Sequence, residues 1–164
     1  MTEHILQEND FAPDFTLDND EGNQLTLSQF RNSKNVVLYF YPKDATPGCT
    51  KEAQAFRDNI TYFETNDTVI IGVSKDNIES HAKFKEKQCL PFTLVSDENS
   101  TVCEAYNTWV EKNMYGKKFM GIQRDSFLID KQGKIRKIWR KVKVDGHADE
   151  VLEAVREINS QQAA

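Results

Sequence analysis

The chain offers one cysteine in a setting suited to chemistry. Cys49 follows YFYPKDATPG (39–48), where an apolar run gives way to proline, glycine and hydroxyl residues. The run reads as a buried strand and the residues after Thr50 as a helix, which puts Cys49 in or just before a first helical turn. Free backbone N–H groups and the positive end of the helix dipole favour an anion there. The thiolate is the reactive form of cysteine. The competing reading is a buried, inert thiol, the common fate of free cysteines.

The neighbours narrow the chemistry. A phosphatase loop needs an arginine six residues after its cysteine, and that residue is Ala55. A C-x-x-C dithiol would need a second cysteine where Glu52 stands. A cysteine protease needs a histidine base. His4, His81 and His147 lie in segments with no evident packing against this stretch, and each reads as solvent-exposed. No Cys/His grouping has zinc-ligand spacing, and nothing calls for a cofactor. Attack on a peroxide asks least of the protein: an ionised sulfur, donors that align the two oxygens, and stabilisation of the departing oxyanion. Thr46, three residues before Cys49, can supply a hydroxyl. Pro42 can fix the loop and shield the sulfur. Arg124, just ahead of SFLID (126–130), can supply a guanidinium, although spacing alone does not bring it near.

The elements that must position these groups alternate. VVLYFY (36–41) and TVIIGVS (68–74) read as buried strands, and PFTLVSD (91–97) as a third. Ala53, Phe56, Ile60 and Phe63 recur at helical spacing from Thr50 to about Glu64. Residues 77–88 read as a helix anchored by Ile78 and Phe84, and ENSTVCEAY as a short one. SFLID, KQG and KIRKIW (134–139) form a strand, turn and strand, and Asp149–Ile158 an amphipathic helix. The pattern predicts an α/β sandwich with a central mixed sheet flanked by helices. Residues 108–121 show no clear period and read as a long loop. Its Trp109, Met114, Tyr115, Phe119 and Met120 either cover the site or fill a core edge.

Composition bounds the rest. At 164 residues, 38% hydrophobic and 29% charged, the chain suits one domain over 1–164. Its net charge of −5 and short apolar runs speak against nucleic-acid and membrane roles. KIRKIWRKVK holds six basic residues in ten, but its interspersed apolar residues read as a strand with one solvated face. Three cysteines are too few for a disulfide framework, and no secretory signal opens the chain, so a cytoplasmic location is expected.

Pro42-x-x-x-Thr46-x-x-Cys49 resembles the active-site motif of the peroxiredoxins. FYPKDATPGCTKEAQAFRD is similar to the bacterioferritin comigratory protein, or Q-type, subfamily. FAPDFTL, GVSKDNIESHAKF, LPFTLVSDENSTVCEAY, EKNMYGKKFMGIQRDSFLIDKQGKI and WRKVKVDGH extend the likeness over nearly the whole chain. The resemblance implies a thioredoxin-like fold and reduction of hydrogen peroxide and organic hydroperoxides. Thioredoxin, glutaredoxin or glutathione would be the reductant, and the protein a monomer. It makes Cys49 the peroxidatic cysteine, with Thr46 and Arg124 binding the peroxide and Pro42 shaping the pocket.

The chain departs from the pattern in resolution, where a second thiol condenses with the sulfenic acid. Many Q-type members carry that cysteine five residues downstream, where this chain has Gln54. Others carry it in the next helix, at the place of Lys85. Cys89 lies four residues beyond, at a helix end set by Pro91, and is the candidate resolving residue; the alternative is an external thiol. Cys103, in TVCEAY, is given no resolving role. A reading from another class also stands at this point: a thioredoxin-fold binding or chaperone module with an incidental thiol.

Overall fold

The structure, a computed structural model, describes residues 4–162. Strands β1 (Thr16–Asn19) and β2 (Gln24–Thr26) form a hairpin that leads into β3 (Asn35–Phe40). Helices α1 (Pro47–Asp58) and α2 (Ile60–Thr65), strand β4 (Thr68–Ser74), helix α3 (Ile78–Gln88) and strand β5 (Thr93–Ser96) follow. Helix α4 (Thr101–Ala105), the pair β6 (Trp109–Met114) and β7 (Lys117–Ile122), strands β8 (Asp125–Ile129) and β9 (Ile135–Trp139), and helix α5 (His147–Gln162) complete the order.

Seven strands form one mixed sheet, ordered β2-β1-β5-β4-β3-β8-β9. β3, β4 and β5 run parallel; β8 is antiparallel to β3, and β1 to β5. The alternation of a strand sorts β3 onto two cores. Val37 and Tyr39 face the layer that holds Phe56, Phe63, Phe84 and Val155 of the flanking helices. Val36, Leu38 and Phe40 face the opposite layer, with Val102, Tyr106 and Phe127. The expected mixed sheet flanked by helices is the observed one.

Two local expectations need correction, and one hairpin was not expected. The helix expected over 50–64 is two helices, because Asn59 ends α1: its side-chain amide donates to the Ala55 carbonyl at 2.8 Å. Residues 108–121 are a two-stranded hairpin, with Met114 opposite Lys117. Tyr115 and Gly116 make its turn, both with positive φ, 53° and 79°. Met114, Tyr115, Phe119 and Met120 stay exposed, so they do not fill a core edge, while Trp109 packs against the second core. The β1–β2 hairpin went unread because β1 alternates only between exposed and half-buried residues.

Candidate active site

α1 starts from the end of β3, a central strand, across a turn that holds Pro42 and Thr46. Thr46 is the N-cap, with extended backbone (φ −83°, ψ 155°). Its hydroxyl donates to the Lys43 carbonyl at 2.8 Å rather than capping the helix. Pro47 occupies the first helical position, where its missing N–H costs nothing and its fixed φ suits the helix. Cys49 is therefore the third residue of α1, where the free N–H groups lie. Its side chain is buried, at 1% exposure. Pro42 lies exposed at the start of the turn.

Arg124, between β7 and β8, reaches this helix start. Its Nη2 donates to Cys49 Sγ at 3.4 Å, and its Nη1 to Glu52 Oε1 at 2.7 Å. Cys49 and Glu52 stand three residues apart on one helical face, so one guanidinium spans both. The approach depends on Gly48, where a Cβ would stand 3.1 Å from Arg124 Nη2. Glu52 is 2% exposed, and burial pushes its carboxyl up to about 7 against the pull of Arg124. Glu52 Oε2 and the Tyr39 hydroxyl are buried without a partner in the protein. Lys112 on β6 senses the same charges: burial, then the Arg124 cation, lowers its ammonium.

The structure thus brings Cys49, Thr46 and Arg124 to one helix start. Cys89 stands apart in character. It is exposed at the C-cap of α3, in the left-handed region at φ 53°, and all three cysteines are free thiols. Glu52 was met in the sequence only as the missing second cysteine. Its place one turn from Cys49 on the same face was the signal that it shares the site.

Two histidines contradict the expectation of exposure. His147 is 3% exposed, packed edge-on to Phe56 and Trp139, with Nε2 at 2.9 Å from Ser126 Oγ. His81 is fully buried on the inward face of α3, one turn before Phe84, and it packs against the turn that precedes Cys49. Both of its ring nitrogens are engaged, with Asp44 Oδ2 at 2.7 Å and the Val95 carbonyl at 2.9 Å, so neither serves Cys49 as a base. His4 is exposed, as expected. Among the described residues, Asp44, Asp76 and His81 stand close enough to share a metal ion. Their facing atoms are already hydrogen-bonded: Asp44 Oδ2 to Ser80 and His81, and Asp76 Oδ2 to Ser74 and the Asp44 N–H.

A strand–turn–helix that presents a lone thiol to a half-buried guanidinium, on this sheet, defines the peroxiredoxin class. The pattern of the AhpC/TSA family matches residues 9–138, and the chain belongs to that family, with its relatives of the bacterioferritin comigratory, or Q, type. A putative peroxiredoxin Bcp of Coxiella burnetii is 54% identical over 86% of this chain and 93% of its own length. The peroxiredoxin Bcp of Bacillus subtilis is 50% identical over 90% of this chain and 94% of its own. The bacterioferritin comigratory protein of Xanthomonas campestris, solved as trapped intermediate/ligand complexes that bear on its alkyl peroxide reduction, is 43% identical. It superposes with a TM-score of 0.84 over 88% of this chain and 92% of that one.

Proposed function

We propose that the chain is a thiol peroxidase in which the Cys49 thiolate attacks hydrogen peroxide or an organic hydroperoxide. The observation that carries this reading is the Arg124 guanidinium on Cys49 Sγ, itself held by buried Glu52. A charge fixed beside the sulfur serves both the thiolate and the oxyanion that forms as the O–O bond breaks. The sulfur forms a bond to the terminal peroxide oxygen, and the O–O bond cleaves. The alkoxide, or hydroxide, leaves with the proton released when the thiol ionised. Cys49 becomes a sulfenic acid. The Thr46 hydroxyl oxygen, whose hydrogen is donated to the Lys43 carbonyl, accepts from the peroxide O–H, and Pro42 borders the opening. The alkyl peroxide activity of the Xanthomonas relative supports organic hydroperoxides as substrates. A binding or chaperone module with an incidental thiol is not favoured by such relatives.

Cys89 is the proposed resolving thiol. Two contacts support it: Gln54 Nε2 donates to Gln88 Oε1 at 2.9 Å, and Arg57 Nη1 to the Gln88 carbonyl at 2.8 Å. These hold the end of α3 against α1, five and eight residues beyond Cys49. Cys49 is buried and Cys89 exposed, so the helix end and the first turn of α1 must open for the two sulfurs to reach disulfide geometry. Frayed helix ends open at low cost. The sulfenic hydroxyl then leaves as water with the Cys89 proton, and a thiol donor such as thioredoxin, glutaredoxin or glutathione reduces the disulfide. Among the described residues no helix is long and apolar enough to cross a membrane.

The test is the intact mass after one equivalent of peroxide. Loss of two hydrogens is expected, with peptide mapping that joins Cys49 to Cys89. A lasting gain of one oxygen on Cys49 would instead establish resolution by an external thiol. A Cys49–Cys103 linkage would overturn the choice of Cys89. Failure of the protein to consume peroxide with a thiol reductant present would overturn the function.

A further inference from the structure

The turn that delivers Cys49 is held from below by a buried polar cluster that the peroxidase chemistry does not use. Asp44 is its hub. Its Oδ1 accepts from the Tyr41 hydroxyl at 2.6 Å, and its Oδ2 from Ser80 Oγ at 2.8 Å. Its backbone N–H donates to Asp76 Oδ2 at 2.7 Å. His81 Nδ1 meets Asp44 Oδ2 at 2.7 Å. His81 Nε2 faces the Val95 carbonyl, which can only accept, so Nε2 carries a hydrogen and donates. The Nδ1–Asp44 contact then holds one shared proton.

The residues after Asp44 show what the cluster holds in place. Ala45 stands in the left-handed region at φ 63°, sparsely populated for a residue with a side chain. Such a conformation persists where its surroundings fix it. The Thr46 hydroxyl closes the same turn on the Lys43 carbonyl, and Thr46 is the N-cap that sets where α1 begins. A continuous path therefore runs from His81 through Asp44 and this turn to the helix start, three residues before the thiol.

We propose that His81 is a positioning residue for peroxide reduction: through Asp44 it clamps the strained turn that places the Cys49 sulfur against Arg124. This rests on the reading of Cys49 as the attacking thiol. The working contact is the one at Nδ1, toward the turn. The contact at Nε2, toward β5, holds α3 on the sheet. A shift of the sulfur of about 1 Å is enough to cost one to two orders of magnitude in rate.

The two contacts can be cut separately, because an asparagine amide mimics the Nδ1 donor and a glutamine amide the Nε2 donor. We expect His81→Asn to keep the second-order rate of the peroxide step close to wild type. His81→Gln should lower that rate about tenfold. Reduction of the oxidised enzyme by a small dithiol should be unchanged in both. Thermal melts identify the temperature at which both variants are folded, and the rates are compared there. Asp44→Asn, which removes the carboxylate from the turn's side, should resemble His81→Gln. Equal rates in His81→Gln and wild type, or equal losses in His81→Gln and His81→Asn, would overturn the clamp. A wild-type protein that consumed no peroxide would instead overturn the reading of Cys49.

Discussion

Cys49 and Cys103 occupy the same place in two different helices. Each is the third residue, in α1 and α4, and each is buried to within 1% of its surface. Their partners are opposite. Cys49 receives a guanidinium, whereas Cys103 lies beside Asp97. Asp97 already takes the free N–H groups of that helix start, from Val102 at 3.2 Å and Cys103 at 2.7 Å. The anion site of α4 is thus filled by a carboxylate. Burial, and after it the hydrogen bond and charge of Asp97, push the Cys103 thiol far above the ordinary range. A helix start supplies donors, but the charge of the next neighbour decides whether a sulfur or something else uses them.

The largest effects test that contrast directly. Cys49→Ser is expected to abolish peroxide consumption, since an alcohol is not ionised at neutral pH. Cys103→Ala should leave the rate unchanged and lower only the melting temperature, through the cavity it creates. Peroxide consumption in a coupled thiol assay reads both, and comparable activity loss in the two variants would erase the distinction. Arg124→Ala should slow the peroxide step by about two orders of magnitude, the scale for one preorganised charge stabiliser. Stopped-flow oxidation of the thiol measures it, and an undiminished rate would remove Arg124 from the site.

What the sequence shows of this contrast depends on how local each signal is. The β3 run and the Pro-Gly breaks are local, and they place Cys49 in or just before a first helical turn; the helix read from Thr50 begins three residues earlier, at Pro47. TVIIGVS is a strand over the very residues read, because burial on both faces leaves a continuous apolar run. The β6–β7 hairpin was hidden for the converse reason: most of its residues are exposed, so no alternation marks it. Arg124 lies 75 residues from Cys49, and only the pairing of β8 with β3 brings it there. His81 reads as polar and exposed until Asp44 and the Val95 carbonyl are seen to engage both ring nitrogens. Such pairings are properties of the assembled sheet and cannot be read one segment at a time.

Glu52 sharpens the comparison further, because it is the carboxylate of the α1 site as Asp97 is of α4, yet it pairs with the arginine and leaves the N–H groups free. Its folded value of about 7 lies above the ordinary 4.5. Below pH ~4.5 the folded and unfolded states both hold the proton. Between ~4.5 and ~7 the unfolded chain loses it while the folded one keeps it. Stability therefore falls as pH rises through that window, by on the order of 3 kcal/mol for this group. Glu52→Gln cannot lose a proton and should flatten that part of the profile. Urea melts of both proteins at pH 5 and pH 8 give the comparison. Parallel profiles would show that Glu52 is ionised throughout and that Arg124 outweighs its burial.

The smallest expected effect concerns the residue before each cysteine, Gly48 in α1 and Val102 in α4. Val102 has no guanidinium to accommodate. At Gly48 an added methyl group would meet Arg124 Nη2 at 3.1 Å, tight enough to move the guanidinium by a few tenths of an ångström. Alanine is also a better helix former than glycine, by up to about 1 kcal/mol in a helix interior and less in a first turn. The two consequences have opposite signs. Gly48→Ala should melt at the same temperature as wild type or slightly higher, while its peroxide step slows several-fold as Arg124 withdraws from the sulfur. A purely structural glycine would move both quantities the same way. If the rate survives the methyl group unchanged, the guanidinium has room to adjust, and the close approach over Gly48 is not what tunes Cys49.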